Sequence, residues 1–190
     1  MIKRSTLHTL CAIAIAAIGV TTNARADIIF TDGNVPQTDE NVLITVNDNA
    51  ADSVQGELNQ THGLVVFTST AGQLKAPSNG QARVEAGTGD LTQITFAMPP
   101  NGTFTSAIFN MFSGDGNATI TVVEGNGDIS VSDPIALGNG QNFLTITAIN
   151  GQNIASVSIS APDGFSDLRQ VRIGGSEGAT TVPDGGLTLL

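Results

Sequence analysis

The chain of 190 residues contains no tryptophan, no tyrosine and one cysteine, and it carries 7 lysines and arginines against 17 aspartates and glutamates. Each shortage closes off a class of function. Nucleic-acid affinity is built from clustered Lys and Arg that displace counterions from phosphates, and a chain with a pI near 4.2 lacks them. No nucleic-acid partner is expected. The one cysteine, Cys11, falls inside an N-terminal leader, so the rest of the chain has neither disulfides nor thiol catalysis. Zinc sites need several His or Cys ligands, and past the leader only His62 is offered. A Ser-His-Asp triad would have to recruit that same His62, but no Gly-x-Ser-x-Gly elbow accompanies it. His62 is read as a loop or strand-edge residue.

Long hydrophobic runs are also missing. The most apolar stretch, from Leu10 to Val20, falls short of the roughly 20 residues that a membrane-spanning helix needs. It follows Lys3 and Arg4 and precedes Ala24-Arg25-Ala26, a small-x-small cleavage site, so residues 1–26 read as a secretory signal peptide cut after Ala26. Lys3, Arg4 and Arg25 leave with it. An exported body without disulfides must be held together by core burial, and its size suffices for one domain.

What is present is strand chemistry. Hydrophobic residues make up 40% and charged ones 13%, which is too apolar for a disordered chain, and 22 glycines supply tight turns. Apolar alternation predicts about ten strands, at 27–31, 41–47, 64–70, 82–86, 91–98, 104–112, 118–123, 143–149, 154–160 and 168–173. Val42, Ile44 and Val46 would share one face, and Ala118, Ile120 and Val122 would point inward. Turns such as Asp32-Gly33-Asn34, Asn79-Gly80 and Asp163-Gly164 separate them. Residues 48–58 read either as one short helix or as a loop. The expected fold is all-β: a single antiparallel β-sandwich or jelly roll over residues 27–175, followed by a flexible linker at 176–181.

This frame leaves room for only a few chemistries. Glycoside hydrolysis needs two facing carboxylates, such as Glu85 with Asp90 or Glu124 with Asp128, but sugar-stacking Trp and Tyr are absent. Stacking would fall to the eight phenylalanines, of which Phe67, Phe96, Phe109 and Phe143 are assigned to the core. No enzyme is expected, and no cofactor beyond calcium. For that cation the candidate ligands are Asp32, Asp115, Asn117 and Asp128, Asp and Asn oxygens along Gly-rich turns, joined by Asn34, Asn126 and the run Asn47-Asp48-Asn49. None of these completes an EF-hand loop. Arg169 and Arg172 stand at odd spacing and should point to opposite faces of one strand, serving ordinary salt bridges or a sulfate or uronate patch.

After the linker come Val182, Pro183, Asp184, Gly185 and Gly186, then Leu187 to Leu190. This Val-Pro-Asp-Gly-Gly motif resembles the PEP-CTERM sorting signal. Segments 104–110, 118–123, 143–150, 154–160 and 164–175 are similar to the C-terminal half of the β-sandwich ectodomain of PEP-CTERM proteins, with Asp167 to Gly174 as the closing strand. The resemblance implies processing by an exosortase-like enzyme at the membrane and an association with exopolysaccharide. It also implies a membrane helix and basic cluster after the motif, so residues 182–190 read as a partial signal, cut short within the anchor. The expectation is an exported structural or adhesive protein of the cell surface or extracellular matrix of a Gram-negative bacterium. The alternative is a weak carbohydrate-binding or calcium-dependent lectin-like module, with a secreted hydrolase further behind.

Overall fold

The computed structural model describes residues 27–77 and 83–176. The expected signal peptide with its cleavage residues Ala24 and Ala26, the expected turn at Asn79 and Gly80, most of the expected linker and the motif Val182 to Gly186 lie outside the described residues.

The described chain is built from strands: β1 (Ile28–Asp32), β2 (Glu40–Ile44), β3 (Asn47–Ala51), β4 (Ser53–Leu58), β5 (Leu64–Thr68), β6 (Leu74–Ala76) and β7 (Arg83–Ala86). They continue with β8 (Leu91–Ala97), β9 (Ser106–Gly114), β10 (Asn117–Glu124), β11 (Ile129–Val131), β12 (Ile135–Ala136), β13 (Phe143–Ala148) and β14 (Ile154–Gly174). Every pairing between them is antiparallel. Among the described residues no helix is long and apolar enough to cross a membrane.

The all-β sandwich is what the alternation predicts, and β10 shows why. Ala118, Ile120 and Val122 are fully buried while the residues between them are partly exposed, the period of two that a half-buried strand imposes. One layer runs β1-β13-β9-β14, and β14 also carries β7, which pairs onward to β6 and β3. The other layer runs β11-β10-β14-β8-β5-β4-β2. Phe96 centres the aromatic part of the core between them, with ring centroids 5.9 Å from Phe67, 6.2 Å from Phe104 and 5.7 Å from Phe109.

Strand β14 belongs to both layers. The sequence divides it into two strands, at 154–160 and 168–173, around Pro162-Asp163-Gly164, whereas one continuous strand of 21 residues runs through that segment. Gly164, at φ +84°, lets the strand change layers there, and a Cβ at this position would come within 2.8 Å of the Asp90 side chain. The N-terminal half pairs with β10 and β8, and the C-terminal half with β9, β7 and β2. Both ends return to the same place: the N–H of Phe104 donates to Ile154 O (3.0 Å) and that of Thr105 to Gly174 O (2.9 Å). Because β2 rejoins β14, the two layers close on one side. They remain open on the other, between the edge strands β1 and β11.

Three further sequence readings are corrected. Residues 48–58 form neither a helix nor a loop but parts of β3 and β4, with Val54, Gly56 and Leu58 turned inward. Gly56 hides the alternation because it contributes no apolar side chain, and it is required there: a Cβ would sit 2.8 Å from Val42 Cγ1. The face proposed for Val42, Ile44 and Val46 ends early, since β2 stops at Ile44 and Val46 is exposed. Phe67, Phe96 and Phe109 are core residues as assigned, but Phe143 is only half-buried and stands on the outer side of β13, opposite the buried Leu144.

Candidate functional site

Two surfaces bring chemically distinctive side chains together. The first is a cleft of ≈ 420 Å³ on the open side, where the layers part between β1, β13 and the β11–β12 segment. Its apolar lining includes Phe30 and Ile135, both half-buried and packed against the core, and the fully buried Leu144 behind them. Its rim carries Asp32, the last residue of β1, and Asp133, from the connection between β11 and β12. Ser132 is fixed between them, its N–H donating to Ile120 O (2.9 Å) and its Oγ accepting the N–H of Ile120 (3.0 Å).

The chain termini of the body lie at the far end. Ile28 sits opposite Ala148, and Ser106 sits opposite both Thr147 and Gly174, so β1 begins and β14 ends at one end of their layer. Asp32, opposite Leu144, is at the other end with the cleft.

The second surface is the outer side of the layer that contains β9 and the C-terminal half of β14. Arg169 and Arg172, expected on opposite faces, stand on the same one. Gln170, at φ +55°, is an extra residue: Arg169 pairs with Asn110 and Arg172 with Ile108, three positions on β14 against two on β9. The bulge leaves Leu168, Val171 and Ile173 in the core and both arginines outside. A row of partners then crosses four strands, Phe143–Asn110–Arg169–Arg83. Lys75 of β6 joins it through Glu85, whose carboxylate lies 3.5 Å from Lys75 Nζ and 2.5 Å from Arg83 Nη2.

Arg169 is held from two directions. Its Nε and Nη2 donate to the two oxygens of Asp167, and its guanidinium carbon lies 3.5 Å from the centroid of Phe112. Hydrogen bonding to Asp167, opposed by burial and aided by the charges of Asp167 and Glu85, raises its pKa. Arg172 donates to Asn34 Oδ1 and lies 3.7 Å from Asp39 Oδ2. The segment carrying Asn34 is strapped over this face by Thr145, whose Oγ1 donates to Gly33 O (2.8 Å) and accepts the N–H of Val35 (3.0 Å).

The proposed calcium ligands are not brought together. Asp32 is in the cleft; Asp115 and Asn117 flank the β9–β10 turn, where Asp115 N–H donates to Gly164 O (3.3 Å). Asp128 is in the β10–β11 turn, bonded to Asn126 in both directions at 2.9 Å, an arrangement that the turn itself needs. Among the described residues no three His, Cys, Asp or Glu side chains converge as a cation cage.

Neither carboxylate pair considered for hydrolysis faces across open space. Glu85 is engaged by Lys75 and Arg83, and Glu124 is buried, with Oε1 accepting from Ser130 Oγ (3.0 Å). His62, at φ +57°, is exposed on the β4–β5 turn with Nδ1 3.8 Å from Glu57 Oε2. Sequence reasoning missed Phe30, Asp133 and Phe112. Nothing local marks them, since each gains its role from a strand or turn distant in sequence.

No family model matches the chain, and no curated protein matches it. Among solved structures, it is similar to a point mutant of CBM29-2 described as probing the mechanism of ligand recognition by family 29 carbohydrate-binding modules. That match has 9% identity and a TM-score of 0.27, over 78% of this chain and 87% of that one. It is also similar to a family 29 carbohydrate-binding module, with 10% identity and a TM-score of 0.23 over 78% of this chain and 86% of that one.

Proposed function

We propose that the chain is an exported, non-catalytic β-sandwich of the cell surface or extracellular matrix that holds a carbohydrate in the open-side cleft. The observation that carries this reading is the cleft itself, in which two exposed carboxylates, Asp32 and Asp133, stand beside the half-buried apolar side chains of Phe30 and Ile135. A sugar ring offers the matching surfaces, an apolar C–H face and a circumference of hydroxyl donors. The C–H face packs against Phe30 and Ile135, and the hydroxyls donate to the carboxylate oxygens of Asp32 and Asp133.

The leader at 1–26 and the motif from Val182 to Gly186 support export and delivery to the surface by an exosortase-like enzyme. Display fits the placement of the chain ends, because a body tethered through either one turns the cleft outward.

Calorimetric titration of the purified chain with a panel of neutral oligosaccharides tests the reading. One of them should give saturable binding, weakened roughly tenfold or more by Asp32→Asn or Asp133→Asn at unchanged melting temperature, in line with the loss of a hydrogen bond to a charged group. The same panel should show no bond cleavage. Absence of binding across the panel, or binding indifferent to both substitutions, overturns the site.

A further inference from the structure

We infer that the outer face formed by β6, β7, β14 and β9 is a second binding site, for the carboxylate or sulfate groups of an anionic polysaccharide. It is independent of the cleft and rests on a different observation. Past the leader the chain has four basic residues, Lys75, Arg83, Arg169 and Arg172, against 17 acidic ones. All four stand on this one face, in three adjacent strands. Cations that served only to neutralise carboxylates would be spread among them, yet Asp32 and Asp133 rim the cleft, Asp128 occupies the β10–β11 turn and Asp163 the corner of β14.

The face is built to collect positive charge. The extra residue Gln170 turns Arg172 to the side of Arg169; without it the odd spacing would separate them. Asp39, Glu85 and Asp167 pair with the four cations, so this face is far less negative than a chain with 17 acidic residues is elsewhere. Charges beyond the Debye length of about 8 Å are screened at physiological ionic strength, so a ligand lying on this face responds to the patch.

The donors are also oriented in advance. Asp167 grips Arg169 through Nε and Nη2 and the Phe112 ring lies under its guanidinium carbon, so the fork is held in place before a ligand arrives. The side chains of Lys75, Arg83, Arg169 and Arg172 keep 35%, 42%, 26% and 24% of their surface accessible. Guanidinium forks suit carboxylate and sulfate oxygens, which they bind in pairs.

Spacing selects a polymer over a single anion. Arg83 and Arg169 sit on adjacent strands about 4.8 Å apart, and Arg169 and Arg172 are about 7 Å apart along the strand direction, judged by their partners on β9. Lys75 lies one strand further on. Several groups repeated along a chain engage the whole array at once, and the half-buried Phe143 ends the row with an apolar surface.

The test is retention of the full chain on immobilised polygalacturonate, dextran sulfate and neutral dextran at an ionic strength of about 0.15 M. Retention on one or both polyanions and not on dextran is expected. Retention on polygalacturonate alone assigns the site to carboxylates, and on dextran sulfate alone to sulfates. Lys75→Gln/Arg83→Gln should weaken retention by roughly tenfold or more, given what a charge-assisted hydrogen bond contributes. Arg83→Lys, which keeps the charge and the fold but removes the fork, should weaken it less. Asp133→Asn, in the cleft, should leave it unchanged, so failure here is separable from failure of neutral-sugar binding. No retention on either polyanion, or equal retention of the wild type and Lys75→Gln/Arg83→Gln, overturns the site.

Discussion

Glu40 shows how much one side chain can organise. It opens β2 and reaches the β4–β5 turn, where its Oε2 accepts the N–H groups of Gln60 (2.7 Å) and Thr61 (2.8 Å). Burial pushes its carboxyl upward, but the hydrogen bonds from Thr61 and Gln60, with the charge of His62, outweigh it and hold the pKa below its ordinary value. A carboxylate with a depressed folded-state pKa stabilises the fold above its unfolded value, about 4.3, and that stability is lost as pH falls through the folded value. Thermal melts of the wild type should therefore lose melting temperature more steeply below that pH than melts of Glu40→Gln. Parallel curves for the two proteins would remove Glu40 from this role. The sequence marks Glu40 only as one acidic residue among many, because the amides it accepts are 20 and 21 residues away.

At the scale of an element, β4 and β14 depart from what the chain advertises, and for different reasons. In β4 the inward position is filled by a glycine, so the pattern looks broken although the strand is paired on both sides, to β2 and β5. Gly56→Ala is expected to cost about 1–3 kcal/mol, because the added Cβ lands 2.8 Å from Val42 Cγ1 and 2.9 Å from Leu43 O. Urea denaturation measures this, and an unchanged midpoint would mean that β2 moves aside freely. In β14 the Pro-Asp-Gly sequence looks like a hairpin turn, yet it serves as the corner where one strand passes between layers. Local turn chemistry is the same for a hairpin and for such a corner. What differs is whether the flanking segments pair with each other or with β8, β9 and β10, and that is decided elsewhere in the chain.

For the whole molecule the governing feature is charge asymmetry. With 17 acidic residues and every basic residue from position 27 onward gathered on one face, the remaining surface repels itself. Raising sodium chloride from low to moderate concentration screens that repulsion and should raise the melting temperature by roughly 2–4 °C, the shift that about 1 kcal/mol produces at this size. A fall in melting temperature with salt would show that the ion pairs of Lys75, Arg83, Arg169 and Arg172 outweigh the repulsion. The sequence by itself determined the strand-rich character, the acidic balance and the inward set of β10, because alternation and composition are properties of neighbouring residues. Only the tertiary structure decided that Phe30 and Asp32 meet Asp133 across an open seam, and that Lys75 and Arg83 join Arg169 and Arg172. Both gatherings depend on which strands become partners and on one extra residue at Gln170, and pairing between segments so far apart in the chain leaves no local trace in the sequence.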